Sequence, residues 1–253
     1  MCYSTDQFMN RSSYTFYCFS PLVMLVTFLI EIIGAIYIIW RYKMTVITRL
    51  TVSILVCLGI FQGAEYMLCG GFGMTGGAWS QVGYSAITLL PPLGLHLAQA
   101  IAGKKANLIT YAAYGSAALF VSYFAFMTGA ISGHTCYANY AVFDTHQGLI
   151  PSALYGAYYY GWLFAGVWAC VRFSSTVKEA NIKRALLALA VGYSAFIVPT
   201  TVINLIDPTT IAGIPSIMCG FAVLLAFVLI GKVAPESILL KTTKQPFRLR
   251  FPF

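Results

Sequence analysis

Two glutamates stand inside apolar runs of this chain, Glu31 in "VTFLIEIIGAIY" and Glu65 in "IFQGAEYMLCGG". Gln62 precedes the second by three residues, His96 and Gln99 share the segment "LHLAQ", and Cys219 sits in "PSIMCGF". Carboxyl, imidazole and thiol groups are the ligands that hold transition metals. A carboxyl beside an amide can equally bind a small ligand or exchange a proton. Ionisable groups within membrane spans are costly, so each poses a functional question and needs a partner. Helical spacing puts Leu58, Gln62, Glu65 and Cys69 on one face, and Ser85, Thr88, Pro92, His96 and Gln99 on a face of another helix.

The elements that must position these groups are membrane helices. Hydrophobic residues make up 59% of the 253 and charged residues only 9%, against about 25% charged in soluble domains. Mean hydropathy is +0.79. Apolar runs of about 20 residues recur, where a barrel would show short alternating segments. The reading is an all-α integral membrane protein, a seven-transmembrane-helix bundle. Its spans fall at about 19–40, 48–69, 82–102, 107–128, 149–173, 185–206 and 213–234. The first eighteen residues are polar and aromatic and do not read as a cleavable signal.

Charge placement sets the orientation. Arg41, Lys43, Arg49, Lys104, Lys105, Arg172, Lys178, Lys183, Arg184 and Lys232 fall on one side with the basic tail 241–253, and only Arg11 falls on the other. The positive-inside rule then puts the N terminus outside and the C terminus in the cytoplasm. The net charge of +8 therefore orients the chain against the lipid bilayer and implies no nucleic acid. A bacterial cytoplasmic membrane is the expected location.

Depth sorts the polar residues, at about 1.5 Å of rise per residue. Glu65 lies about 6–9 Å and Cys219 about 9 Å below the outer ends of their spans, with Cys2, Cys69, His134, Cys136 and His146 close above. Glu31 at about 18 Å and His96 at about 21 Å are deeper, and Glu31 is the expected partner of His96. On the oxidising side, either Cys69–Cys136 or Cys2–Cys136 would fasten the long loop "GAISGHTCYANYAVFDTHQG" over the bundle. The tyrosines of "YGAYYYGW" read as interface belt and packing. No CxxC or HExxH spacing is present, so metal binding rests on convergence of residue types alone.

The chain resembles a family of small bacterial polytopic membrane proteins, themselves uncharacterised, that open Met-Cys-aromatic-Ser. The resemblance is carried by "MCYS", by "GIFQGAEY" with Gln62 and Glu65, by "SGHTCYANY" with His134, and by "PSIMCGFA" with Cys219. It departs at Tyr66, where the family has Gly, and at Met218, where it has Trp. These stations all map to the outer side. The resemblance therefore implies that Cys2, Glu65, His134 and Cys219 form one site, a candidate set for zinc, iron or copper, but it implies no reaction. "LLPPLGLHLAQ" gives a looser likeness to the seven-helix sensor regions of histidine kinases.

The leading functional reading is a seven-helix binding or sensing module with a polar, metal-capable pocket near the outer surface. Its ligand residues are drawn from Gln62, Glu65, His134, Glu31, His96 and Gln99, and its output passes to a membrane or cytoplasmic protein partner. A membrane-embedded metal-dependent enzyme or redox protein is the first alternative. A proton-coupled transporter or an accessory subunit of a membrane complex is the second. The transporter reading is disfavoured because no internal repeat or pair of broken helices is visible. The absence of a mid-span lysine in the seventh span argues against retinal.

Overall fold

The computed structural model describes residues 21–70, 76–127, 131, 133–136, 141–144 and 149–238. Cys2, Cys18, His146 and the tail 241–253 lie outside the described residues. The helices are α1 (Pro21–Arg41), α2 (Val46–Gly70), α3 (Gly76–Thr88), α4 (Leu90–Ile101), α5 (Leu108–Phe126), α6 (Leu149–Ser174), α7 (Ala180–Ile206) and α8 (Ile214–Val228). A π-helical turn at Leu229–Val233 leads from α8 into the short α9 (Ala234–Ser237). Among the described residues, five helices are long and apolar enough to cross a membrane: Leu22–Arg41, Val46–Cys69, Leu108–Phe126, Ala180–Ile206 and Ile214–Ser237.

The packing is that of an element bathed in lipid. Along α1, Leu22, Val26, Leu29, Ile33, Ile36 and Trp40 recur at helical spacing and are exposed, while Met24, Thr27, Glu31, Ala35 and Ile38 are buried. Ile33 is 61% exposed and Glu31 0%. In water an acid would face out and an isoleucine in; here hydrocarbon outside reverses the preference. α1 lies close against α2 because α2 offers glycine at the contact. A Cβ on Gly59 would come within 2.8 Å of Ile32 Cδ1 and 3.8 Å of Glu31 Cβ, and one on Gly63 within 3.3 Å of Phe28. Small residues at such crossings let backbones approach.

The segment expected as the third span, 82–102, is interrupted. The segment is two helices, α3 and α4, that meet at a turn at Leu89. Pro91 and Pro92 have no N–H, so the carbonyls of Ile87 and Thr88 lose their helical donors. Within a membrane those groups must be satisfied by the protein itself. The Tyr158 hydroxyl donates to the Thr88 carbonyl at 2.6 Å, and the Tyr155 hydroxyl lies 3.0 Å from Thr88 Oγ1. α6 thereby supplies a donor to one of the two freed carbonyls.

α4 ends where Gly103 adopts φ +69°. Lys104 N donates to Gln99 O at 2.9 Å and Gly103 N to Ala100 O at 3.1 Å, the Schellman closure that a left-handed glycine permits. Lys104 then sits 4.1 Å over the Phe173 ring, which joins this turn to the end of α6. At the opposite end of the bundle, β1 (Gly133–Cys136) and β2 (Ala141–Asp144) form an antiparallel hairpin in what sequence reads only as a loop.

Removing the Tyr158 hydroxyl leaves the Thr88 carbonyl unpartnered. Tyr158→Phe is expected to lower stability by about 1–2 kcal/mol, read as an earlier thermal unfolding transition in mild detergent. An unchanged transition would show that the break does not depend on this bond.

Candidate functional site

α2 brings three of the singled-out residues to one interior face. Gln62 and Glu65 are 2% and 1% exposed, and Cys69 closes the same stripe one turn further on. On α1, Glu31 is buried level with Gly59, deeper along the same helix pair. Both carboxyl oxygens of Glu31, Oε1 of Glu65 and Nε2 of Gln62 are buried without a hydrogen-bond partner. Each such atom costs about 1–3 kcal/mol relative to a satisfied one. Their concentration on two packed helices is the main chemical feature of the molecule.

The surrounding groups are acids, a thiol and phenols. Glu31 is in electrostatic range of Glu65, and the Cys219 thiol of α8 is in range of both. Tyr84 of α3 is in electrostatic range of Glu65 and Cys219, and Tyr155 and Tyr159 of α6 are in range of Cys219. None of the described Lys, Arg or His residues acts on either acid. A void of about 10 Å³ lies against Leu58, Tyr159, Tyr193 and Cys219, room for about one water. The Tyr193 hydroxyl beside it is buried and unpartnered. It lies where a Cβ on Gly94 would be, so only glycine fits at that point of α4.

Glu65 has one further contact. It is hydrogen-bonded to Ser216 at the start of α8, and the Ser216 Oγ accepts from Ala141 N at 3.0 Å. With its lone pair engaged by the Ala141 N–H, the serine hydroxyl is left to donate to the carboxyl. A chain of two bonds thus joins the acid to β2 of the hairpin. The hairpin is also held covalently: Cys69 of α2 and Cys136 of β1 form a disulfide, one of the two pairings open from sequence. His134, half-buried, is two residues from Cys136 on the same strand face.

The deeper pairing expected from sequence is not made. His96 Nδ1 lies 3.2 Å from the Tyr114 hydroxyl, while both Glu31 oxygens are unpartnered. Gln99 Oε1 accepts from Thr110 Oγ1 at 2.5 Å, and its Nε2 donates to Asn107 Oδ1 at 3.3 Å. Asn107 and Thr110 form the capping box of α5. Gln99 therefore fastens the α4–α5 turn, and His96 joins the same two helices. Glu31 lies level with Gly59 of α2, six residues deeper than Glu65, yet it remains in electrostatic range of Glu65 and Cys219. Of the candidate metal set, Cys2 lies outside the described residues. Among the described residues, no group of three or more His, Cys, Asp or Glu side chains could hold a metal ion.

Ser216 is not singled out by the sequence, and the α6 tyrosines, read there as interface belt and packing, line the bundle interior instead. Tyr155, Tyr158 and Tyr159 recur at i, i+3 and i+4 and point inward, while Leu154 and Phe164 face out. That spacing was the signal for an interior polar face. Ser216 carried none. No family model, no curated protein and no solved structure matches this chain.

If Gln99 serves only the turn, Gln99→Ala is expected to cost about 1 kcal/mol of stability. The response of the protein to pH would be unchanged. A lost pH response in this variant would return Gln99 to the site.

Proposed function

We propose that this chain is a seven-helix binding or sensing module of a bacterial cytoplasmic membrane, and that its site is the acid cluster of Glu31, Gln62 and Glu65 with Cys219. The ligand is positively charged: a proton or a small cation. The observation that carries this reading is the three buried, unpartnered carboxyl oxygens of Glu31 and Glu65, with a thiol and phenols in electrostatic range and, among the described residues, no Lys, Arg or His acting on either acid. Buried acids without partners are retained against their cost where something binds to them.

Seven crossings are supported by the 26 residues of α6 and by α3 and α4 acting end to end as one span. An outside N terminus is supported by two features at opposite ends of the bundle. The disulfide marks the oxidising side, and the Lys and Arg residues mark the other. On this reading Glu65, Cys219 and His134, stations of the Met-Cys-aromatic-Ser resemblance, belong to the outward half. Binding there would be relayed to a partner chain. Transport is a weaker reading, since the α3–α4 break is a single one and many transporters use a pair.

The test is the thermal stability of Glu31→Gln, Glu65→Gln and the double variant in mild detergent across pH. A partnerless carboxyl is tolerated in hydrocarbon only while neutral, so wild-type stability is expected to fall as pH rises. The double variant is expected to be flat with pH and at least as stable as wild type at neutral pH. A loss of about 2 kcal/mol or more in every variant, with the pH dependence retained, would make the pair a structural clasp instead.

A further inference from the structure

The hairpin nearest the acid cluster is held at two points, and both lie on one rung. Cys136 of β1 pairs with Ala141 of β2. Cys136 is bonded to Cys69, one helical turn beyond Glu65 on α2. Ala141 N donates to Ser216 Oγ on α8, and Ser216 is bonded to Glu65. The same rung therefore ties the strands to α2 covalently and to α8 through the serine that serves the acid. An isolated two-stranded hairpin is marginal in water, so these strands depend on what ties them to the bundle. The disulfide is the covalent tie, and the bond to Ser216 is a single neutral hydrogen bond.

The two sulfurs differ in access. Cys136 is exposed, Cys69 is half-buried, and Cys219 beneath them is buried. We infer that the Cys69–Cys136 disulfide is a thiol-exchange site for a dithiol on the outer side, and that its reduction uncovers the acid cluster. What is uncovered rests on the binding reading above; the latch itself rests on the contacts of the rung. In the exchange, a thiolate of the dithiol attacks Cys136 Sγ and the bond to Cys69 breaks. Cys69 leaves as thiolate and takes up a proton. The second thiol of the reagent then resolves the mixed disulfide, so that the protein gains two thiols and the dithiol is oxidised to its disulfide. With the rung released, Ala141 no longer donates to Ser216. The Ser216 hydroxyl is then free to turn toward a carbonyl of its own helix, and Glu65 loses the hydrogen bond from Ser216.

The measurement is alkylation of the purified full chain by N-ethylmaleimide, resolved by peptide mass spectrometry, before and after dithiothreitol. Cys57 and Cys170, both buried, report any general loosening. The expected result is that Cys69 and Cys136 become labelled after reduction and that Cys219 is alkylated at least about tenfold faster, with Cys57 and Cys170 still protected. Cys136→Ser is expected to give the fast Cys219 rate without reductant. The inference is overturned if Cys219 stays equally protected once Cys69 and Cys136 carry label, or if the folded protein resists dithiothreitol. It is also overturned if all the buried cysteines label together. Glu65→Gln, carried in parallel, is expected to leave the labelling pattern unchanged. A failed binding reading, seen in the pH response, is thereby separated from a failed latch.

Discussion

A carboxyl in hydrocarbon has nowhere to go but inward, and the bundle is arranged around two of them. Glu31 fixes which stripe of α1 faces the protein, because an acid turned to lipid would cost several kcal/mol. Glu65 does the same for α2. Once both stripes are set, the rest of the contact follows: Gly59 and Gly63 admit Ile32 and Phe28, and the exposed residues of α1 are the apolar ones. Apolar side chains, which organise a soluble core, discriminate little between neighbours and lipid. Polar side chains carry the specification instead.

The same solvent explains the other unusual connections. A helix broken by Pro91 and Pro92 is tolerable only where another helix supplies donors, and Tyr158 supplies one at the Thr88 carbonyl. The turn between α4 and α5 closes on Gly103, Gln99, Asn107 and Thr110, which satisfy one another without outside help. The acid cluster is the exception. Among the described residues, the buried side-chain polar atoms without a partner are both Glu31 oxygens, one Glu65 oxygen, Gln62 Nε2 and the Tyr193 hydroxyl beside the small void. That unmet demand is what the proposed binding reading rests on.

Much of this was legible in the chain. The apolar runs and the low charge content specified helices for a membrane, and the stripe of Leu58, Gln62, Glu65 and Cys69 could be read from spacing alone. The partner of Glu31 could not. Rise per residue gives the depth of a Cα but not which helices pack together, so His96 was matched to an acid at similar depth while its ring meets Tyr114. The proline pair in "LLPPLG" was visible, but proline is common in membrane helices. Whether it breaks one depends on donors from α6, far along the chain. The spacing of Tyr155, Tyr158 and Tyr159 was an available signal. Ser216 had no pattern around it and emerged only with its contacts.

The most direct measurement is infrared difference spectroscopy of the carboxyl C=O stretch, on protein oriented in vesicles, as the external pH is stepped. If the acid cluster is a site reached from the hairpin side, signals from protonated carboxyls should change with external pH. One component should vanish in Glu31→Gln and another in Glu65→Gln. If the carboxyl signals are the same at every external pH, or are untouched by both substitutions, the two glutamates are a sealed structural feature and the binding reading is wrong.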